Sequence, residues 1–322
     1  MIAPTASKFK QTGVGVRSVL EKTFNTGFIW LTLAFAVSIG LILLAIAIVI
    51  IMRAWPAIQT YGVGFITNSA WNPVVGKEKF GALPVIYGTL VSSFISLFIA
   101  VPLGIGTALF LSENFIPLKF RTPLVLMVEL LAAIPSVVYG LWGIFVLIPI
   151  INPISSWLHN NLGWVPFFAT PPAGPGMLPA GIVLSIMILP IITAVSRDSL
   201  ASLPPELRQA SLGLGATRWE TIFRVLIPSA ISGIVGGVML ALGRAMGETM
   251  AVTMIIGNAN KISISLLEPA NTISSLLANQ FAEASGMQIS ALMYAALVLM
   301  VLTLIVNIAA DCIVTQVRAK YQ

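Results

Sequence analysis

The chain has 322 residues, of which 57% are hydrophobic and only 9% charged. A soluble domain carries about a quarter charged residues, so this composition excludes a protein whose whole surface faces water. The net charge of +6 contains no Lys/Arg run of the kind that binds nucleic acid, and one cysteine, Cys312, excludes a disulfide framework and a Cys/His metal site. In its apolar surroundings Cys312 is expected to be a small buried residue.

About twenty consecutive apolar residues cross a bilayer as a helix. Six stretches reach that length, at about 28–52, 87–111, 124–151, 177–196, 230–257 and 289–310. The fold class is therefore an all-α membrane protein with six transmembrane helices. Lys8, Lys10, Arg17 and Lys22 precede the first stretch as in a signal peptide. That stretch is too long for the apolar part of a signal and lacks a small-x-small cleavage pattern, so it reads as a retained helix. Pro102, Pro135 and Pro190 predict kinks within the spans.

Six spans place both termini on one side. With that side cytoplasmic, the inner segments hold twelve basic residues, including Lys119, Arg121, Arg197, Arg208, Arg218, Arg224, Arg318 and Lys320. The outer loops hold four, Arg53, Lys77, Lys79 and Lys261. That bias is the positive-inside pattern, so the basic charge sets orientation rather than recognising a polyanion. The segments are then a cytoplasmic 1–27, a first helix and long outer loop over 28–86, a core over 87–315, and a cytoplasmic tail over 316–322. Two further outer loops, 152–176 and 258–288, offer a docking face or merely cover helix ends.

The cytoplasmic segment 202–228 has its own punctuation. Pro205 and Glu206 suit the first turn of a short helix. Gly213 and Gly215 supply the turn that ends it. Thr217 and Glu220 then form a capping-box pattern ahead of Trp219, Ile222, Phe223 and Leu226. The expectation is helix, glycine turn, helix, beside the membrane. The chain has no Gly-x-x-x-x-Gly-Lys followed by Ser or Thr, so it holds no nucleotide through a P-loop; Gly76-Lys77 is followed by Glu78.

Span five carries Gly233/Gly237 and Gly243/Gly247 within a stripe of small residues, which predicts close helix packing. It also carries Arg244 and Glu248, four apart and expected to meet on one helical face. Each charge costs about 2.5–3.5 kcal/mol at the membrane centre, so the pair either neutralises itself to fix packing or serves a pathway. In the second case Arg244 offers a forked cation to an oxyanion and Glu248 tempers its grip. Glu129, near the start of span three, is a pathway carboxylate or a structural cap. Ser136 and Tyr139 follow Pro135, whose missing N–H frees backbone groups, and are candidate substrate contacts. Asp311 reads as interfacial and His159 as a solvated loop residue. No catalytic or metal-binding constellation is present in the sequence, so no enzyme activity is assigned to this chain.

The loop spacing resembles the coupling loop of ABC importer permeases, Glu-Ala-Ala, three residues, Gly, nine residues, Ile-x-Leu-Pro. Gln209-Ala210-Ser211, Gly215 and Val225-Leu226-Ile227-Pro228 occupy those places. Gln209 departs from the family's acidic residue. The stretch from Gly243 to Val252 (with Thr249-Met250-Ala251-Val252 at its end), the stretch from Glu129 to Gly140, and Gly81 to Leu90 are similar to segments of the phosphate-specific permeases, C-type subunit. The resemblance runs from about Trp55 onward. It implies the MetI-like permease fold, and Arg244, Glu248 and Thr249 at positions associated with phosphate passage. It also implies that Glu206, Arg208, Gln209, Ala210, Ser211, Gly213, Gly215 and Thr217 lie in the hairpin that meets an ATPase. The implied partners are a homologous second permease, an ATPase dimer holding ATP and magnesium, and an extracytoplasmic phosphate-binding protein. The implied location is the bacterial cytoplasmic membrane. A permease for molybdate or sulfate, an ion-coupled secondary transporter, and an inert membrane scaffold are the rival readings.

Overall fold

The computed structural model describes residues 19–74, 76–113 and 115–321. Lys8, Lys10 and Arg17 lie outside the described residues, as do the side chains of Lys22, Arg318 and Lys320. The chain divides into two compact units, residues 1–49 and 50–322. Within the first unit the chain is helical from Val19, and none of its described side chains is buried. Helix α1 spans Val19–Tyr61, so it runs past the end expected for span one and takes Arg53 with it.

In the second unit α1 ends on buried Ala54 and Ala57. Helix α2 (Gly64–Thr67) and a two-stranded hairpin, β1 (Trp71–Asn72) against β2 (Lys79–Phe80), then occupy what reads as the first outer loop. Phe65, stacked on Tyr294 at 4.4 Å between ring centres, and Trp71, edge-on to Phe80 at 4.9 Å, bury this segment against the last helix. Helix α3 (Leu83–Ser112) follows, then α4 (Leu118–Ala133) and α5 (Ser136–Trp142). A π-turn over 143–147 joins α5 to α6 (Ile148–Leu162), and α7 covers Met177–Ala201. Short helices α8 (Pro205–Gly213) and α9 (Arg218–Thr221) form the hairpin expected over 202–228. A second π-turn leads into α10 (Ile227–Gly247), and α11 (Met250–Ile255), α12 (Ile273–Gln280) and α13 (Gly286–Tyr321) complete the chain.

Among the described residues six helical stretches are long and apolar enough to cross a membrane, so the protein is multi-pass. The third is 136–162 rather than 124–151, because Pro135 ends α4 instead of kinking it. Pro102 and Pro190 stay inside continuous helices. Extension of α6 shortens the second outer loop to 163–176, and His159 is not solvated: half-buried, its Nδ1 sits 3.0 Å from the Phe168 carbonyl. Cys312 is exposed on the chain rather than buried, because α13 turns that face outward.

The spine of the unit is α3 packed along α7. Gly104 and Gly181 allow this, since a Cβ on either would run into Ile192 or Ile95. Helix α10 packs on α7 and also on α3, with Gly233 against Ser199 and Gly237 against Val195. The first GxxxG pair therefore packs as expected. Gly243 and Gly247 face open space in the single chain.

Candidate functional site

Two interrupted helices lie side by side. At the first interruption Pro135 supplies no N–H and forces Ile134 out of the helical region, to φ −68° and ψ 127°. The Leu131 carbonyl would normally accept from residue 135. Instead the Tyr139 hydroxyl donates to it at 2.9 Å. Removing that donor by Tyr139→Phe leaves the half-buried Leu131 carbonyl with only the long Ile134 N–H bond at 3.4 Å; the expected cost is about 0.5–1.5 kcal/mol, read as a lower thermal midpoint of the purified complex.

The second interruption separates α10 from α11. Glu248 is extended (φ −65°, ψ 126°), and the Gly247 and Met246 carbonyls lose their helical donors. Hydroxyls replace them: Thr249 donates to Gly247 at 3.1 Å, and Ser274 of α12 donates to Met246 at 3.2 Å. The Glu248 carboxylate turns forward and accepts the Ala251 N–H at 3.4 Å. It therefore does not meet Arg244, as a continuous helix would require. Among the described residues Arg244 makes no hydrogen bond or ion pair, and it is exposed on the single chain rather than buried. Sequence spacing misjudged this point because helical i,i+4 geometry stops at Gly247.

The short helices that follow the two interruptions pack on each other. Gly140 admits this contact, since a Cβ there would lie 2.6 Å from Met254 Sδ and 3.3 Å from Ala251 Cα. Gly143 does the same against Ile255. Arg244 lies in the last turn of α10, just before the helix that packs on α5, the helix that carries Tyr139. Ser136 opens α5 and is half-buried, and Thr249 precedes α11, also half-buried. Glu129 is elsewhere: it lies on α4, outside the span, and pairs with Arg197 at 3.3 Å. Arg197 also holds Asp198 at 2.9 Å, so Glu129 belongs to a charged cluster at the end of α7.

The hairpin forms as its punctuation predicts, with one correction. Gly215 adopts φ +85°, while Gly213 remains the last residue of α8. Ala216 N–H donates to Ser211 O at 3.2 Å and Gly215 N–H to Leu212 O at 3.0 Å, the double bond pattern of a left-handed helix end. Thr217 and Glu220 cap α9 reciprocally, the Thr217 N–H donating to Glu220 Oε2 at 2.8 Å and the Glu220 N–H to Thr217 Oγ1 at 3.3 Å. Glu206, Gln209, Ala210 and Gly213 are exposed, whereas Arg208 and Ser211 are half-buried. Ser211 hydrogen-bonds Thr221 at 2.9 Å and locks the two short helices together. Sequence reading missed Glu113, which pairs with Arg208 at 2.9 Å, and α12, whose Ile273, Ser274, Ser275 and Leu276 are buried. The polar composition of 258–288 disguised α12 as loop; its Thr272 N-cap, accepting from Ser275, was the readable signal.

The family of binding-protein-dependent transport system inner membrane components matches residues 100–320. The phosphate transport system permease protein PstC of Mesorhizobium japonicum is 46% identical over 295 residues, covering 90% of this chain and 89% of that protein. The protein of the same name from Haemophilus influenzae is 41% identical over 323 residues, covering 99% and 98%. Among solved structures, a bacterial alginate ABC transporter bound to its periplasmic protein matches with a TM-score of 0.57 at 18% identity, over 93% of this chain and 98% of its own. The inward-facing MetNI methionine ABC transporter gives a TM-score of 0.52 at 20% identity, over 74% and 94%. These two speak to the fold, which is the MetI-like fold of ABC importer permeases. By its match to the family over residues 100–320, and by identity to phosphate-system permeases along nearly its whole length, this chain belongs to the inner-membrane components of binding-protein-dependent transport systems.

Proposed function

We propose that this chain is the C-type permease subunit of an ATP-driven importer moving inorganic phosphate across the bacterial cytoplasmic membrane. The observation that carries this reading is 46% and 41% identity to phosphate transport system permeases over 90% and 99% of the chain. Both termini are cytoplasmic, the core over 87–315 forms half of the pore, and a homologous permease supplies the other half. ATP and magnesium are held by a separate ATPase dimer, and a binding protein delivers phosphate from outside. The chain is a translocation component and not itself an enzyme.

In this reading Arg244 is the forked cation that meets the anion. Its exposure on the single chain leaves it free to face the pore, and Glu248, engaged with the Ala251 N–H, does not neutralise it at close range. A guanidinium presents two parallel donors to a tetrahedral oxyanion, which suits transient coordination. Thr249 and Tyr139 support this reading as parts of the two interruptions, their hydroxyl protons held by the Gly247 and Leu131 carbonyls, and Ser136 opens the helix that carries Tyr139. Glu129 drops out of the pathway because its carboxylate is committed to Arg197. Alternating access follows when ATP closes the ATPase pair and the exposed hairpin face, Glu206, Gln209, Ala210 and Gly213, is carried inward.

The test is uptake of radiolabelled phosphate at low concentration in cells lacking this chain. Wild type restores uptake, and excess sulfate or molybdate does not compete. Competition by either ion replaces phosphate with that oxyanion, and no restoration ends the substrate assignment. A second expectation concerns the hairpin turn. Gly215→Val forces a side chain into the left-handed region at a cost of about 1–2 kcal/mol. No neighbour lies within 4 Å of that Cβ, so the effect is on the turn itself. ATP hydrolysis then continues while phosphate moved per ATP falls.

A further inference from the structure

Arg208 is, with Ser211, half-buried in a hairpin helix whose Glu206, Gln209, Ala210 and Gly213 are exposed. Its Nη2 donates to Glu113 Oε1 at 2.9 Å and its Nε to the same carboxylate at 3.1 Å. Nη2 also donates to the Leu200 carbonyl at 3.1 Å and Nη1 to that of Leu203 at 3.5 Å. Glu113 is the C-cap residue of α3 and is 9% exposed. Leu200 lies in the last turn of α7.

Helix C-termini carry partial negative charge, so a carboxylate at the end of α3 is unfavourable by itself, and a cation there is favourable. One guanidinium therefore binds the negative ends of two membrane helices at once. A pair this enclosed and this forked is not a solvated surface bridge.

Connectivity gives the pair its mechanical meaning. The hairpin is joined through the chain to α7 on one side and, through the second π-turn, to α10 on the other. It has no direct chain connection to α3. Among the described residues the polar grip on the end of α3 is Arg208 on Glu113; just past that end Arg218 lies 3.8 Å from the Phe115 ring centre and Trp219 packs on the same ring, while Ile222 and Leu226 add apolar contact with Ala108. The Ser211–Thr221 bond makes the hairpin one body, and a cavity of ≈ 420 Å³ lined by Glu113, Arg208 and Arg218 lies beside the pair. We propose that the Arg208–Glu113 pair is the polar strut that carries hairpin movement directly to the end of α3, beside the covalent route through α7; this rests on reading 202–228 as the ATPase-coupling hairpin. Arg208 and Glu113 are positioning residues and touch no substrate.

The complete complex, with both permeases, ATPase and binding protein, is reconstituted in proteoliposomes, and radiolabelled phosphate taken up per ATP hydrolysed is measured. Glu113→Gln and Arg208→Gln each lower that ratio about tenfold, and the double variant is no worse than either single one, as for two ends of one interaction. Arg208→Lys, which keeps the charge and loses the fork, recovers part of the ratio. A wild-type ratio in the single variants, or a double variant that loses the product of both, overturns the strut. Should the neutral variants fail to assemble, a wild-type ratio in assembled Arg208→Lys overturns it too. Gly215→Val separates the two claims: if it uncouples and the strut variants do not, only the strut falls. If Gly215→Val also leaves the ratio unchanged, the hairpin is not the coupling element and the underlying reading falls with it.

Discussion

Arg244→Gln abolishes phosphate uptake while the complex still assembles. Each hydrogen bond from a charged donor to an anion is worth about 1.5–3 kcal/mol, so losing a forked pair lowers uptake by about a hundredfold or more. Assembly is spared because Arg244 is exposed and, among the described residues, holds no hydrogen-bond or ion-pair partner. Arg244→Lys falls between, since a point charge replaces the fork. Radiolabelled uptake in membranes containing equal amounts of complex is the measurement. Wild-type transport by Arg244→Gln would remove this residue from the pathway and leave it as a packing element facing the second subunit.

Gly88→Val has the largest structural effect. Gly88 is buried in α3, and a Cβ there would overlap the Asn271 carbonyl oxygen, which is backbone and cannot swing aside. The neighbouring Thr89 accepts the Ile273 N–H at 3.0 Å and donates to Val85 O at 2.7 Å. Prising α3 from the 257–272 segment therefore also strips the N-terminus of α12. Overpacking of this kind costs about 3 kcal/mol. The expectation is little folded protein in the membrane and a markedly lower thermal midpoint. Gly106→Val, on the same helix with nothing within 4 Å of the added Cβ, stays within about 0.5 kcal/mol of wild type. Equal behaviour of the two variants would mean that the α3–Asn271 contact does not hold the unit together.

Local rules carried the reading of the sequence a long way. Four spans, the capping box at Thr217 and Glu220, and the left-handed Gly215 each depend on neighbours within a few positions, and each is found, while span five runs over 218–247 rather than 230–257. The remainder depends on contacts distant in sequence. Glu113 and Arg208 are 95 positions apart, and nothing near Glu113 announces a partner. The interruption at Glu248 was hidden because Gly-Glu-Thr reads as tolerable helix; only a neighbouring segment with Ser274 in place makes an open Met246 carbonyl affordable. Pro135 did announce an interruption, and the error was to treat it as a bend. The residues around Arg244 were thus found from charge in an apolar run, while their mutual geometry was not.

Helix α11 has six residues and α5 seven before its π-turn. Neither approaches the length that lets a segment partition into lipid alone. Helix α5 is carried in at the head of a longer apolar stretch, but α11 is followed by polar chain and has no such vehicle. It settles at depth only once Gly140 and Gly143 offer it a seat. Span three, earlier in the chain, is therefore the template on which the end of span five is laid down, and the polar turn at Glu248 is held by that template rather than by lipid.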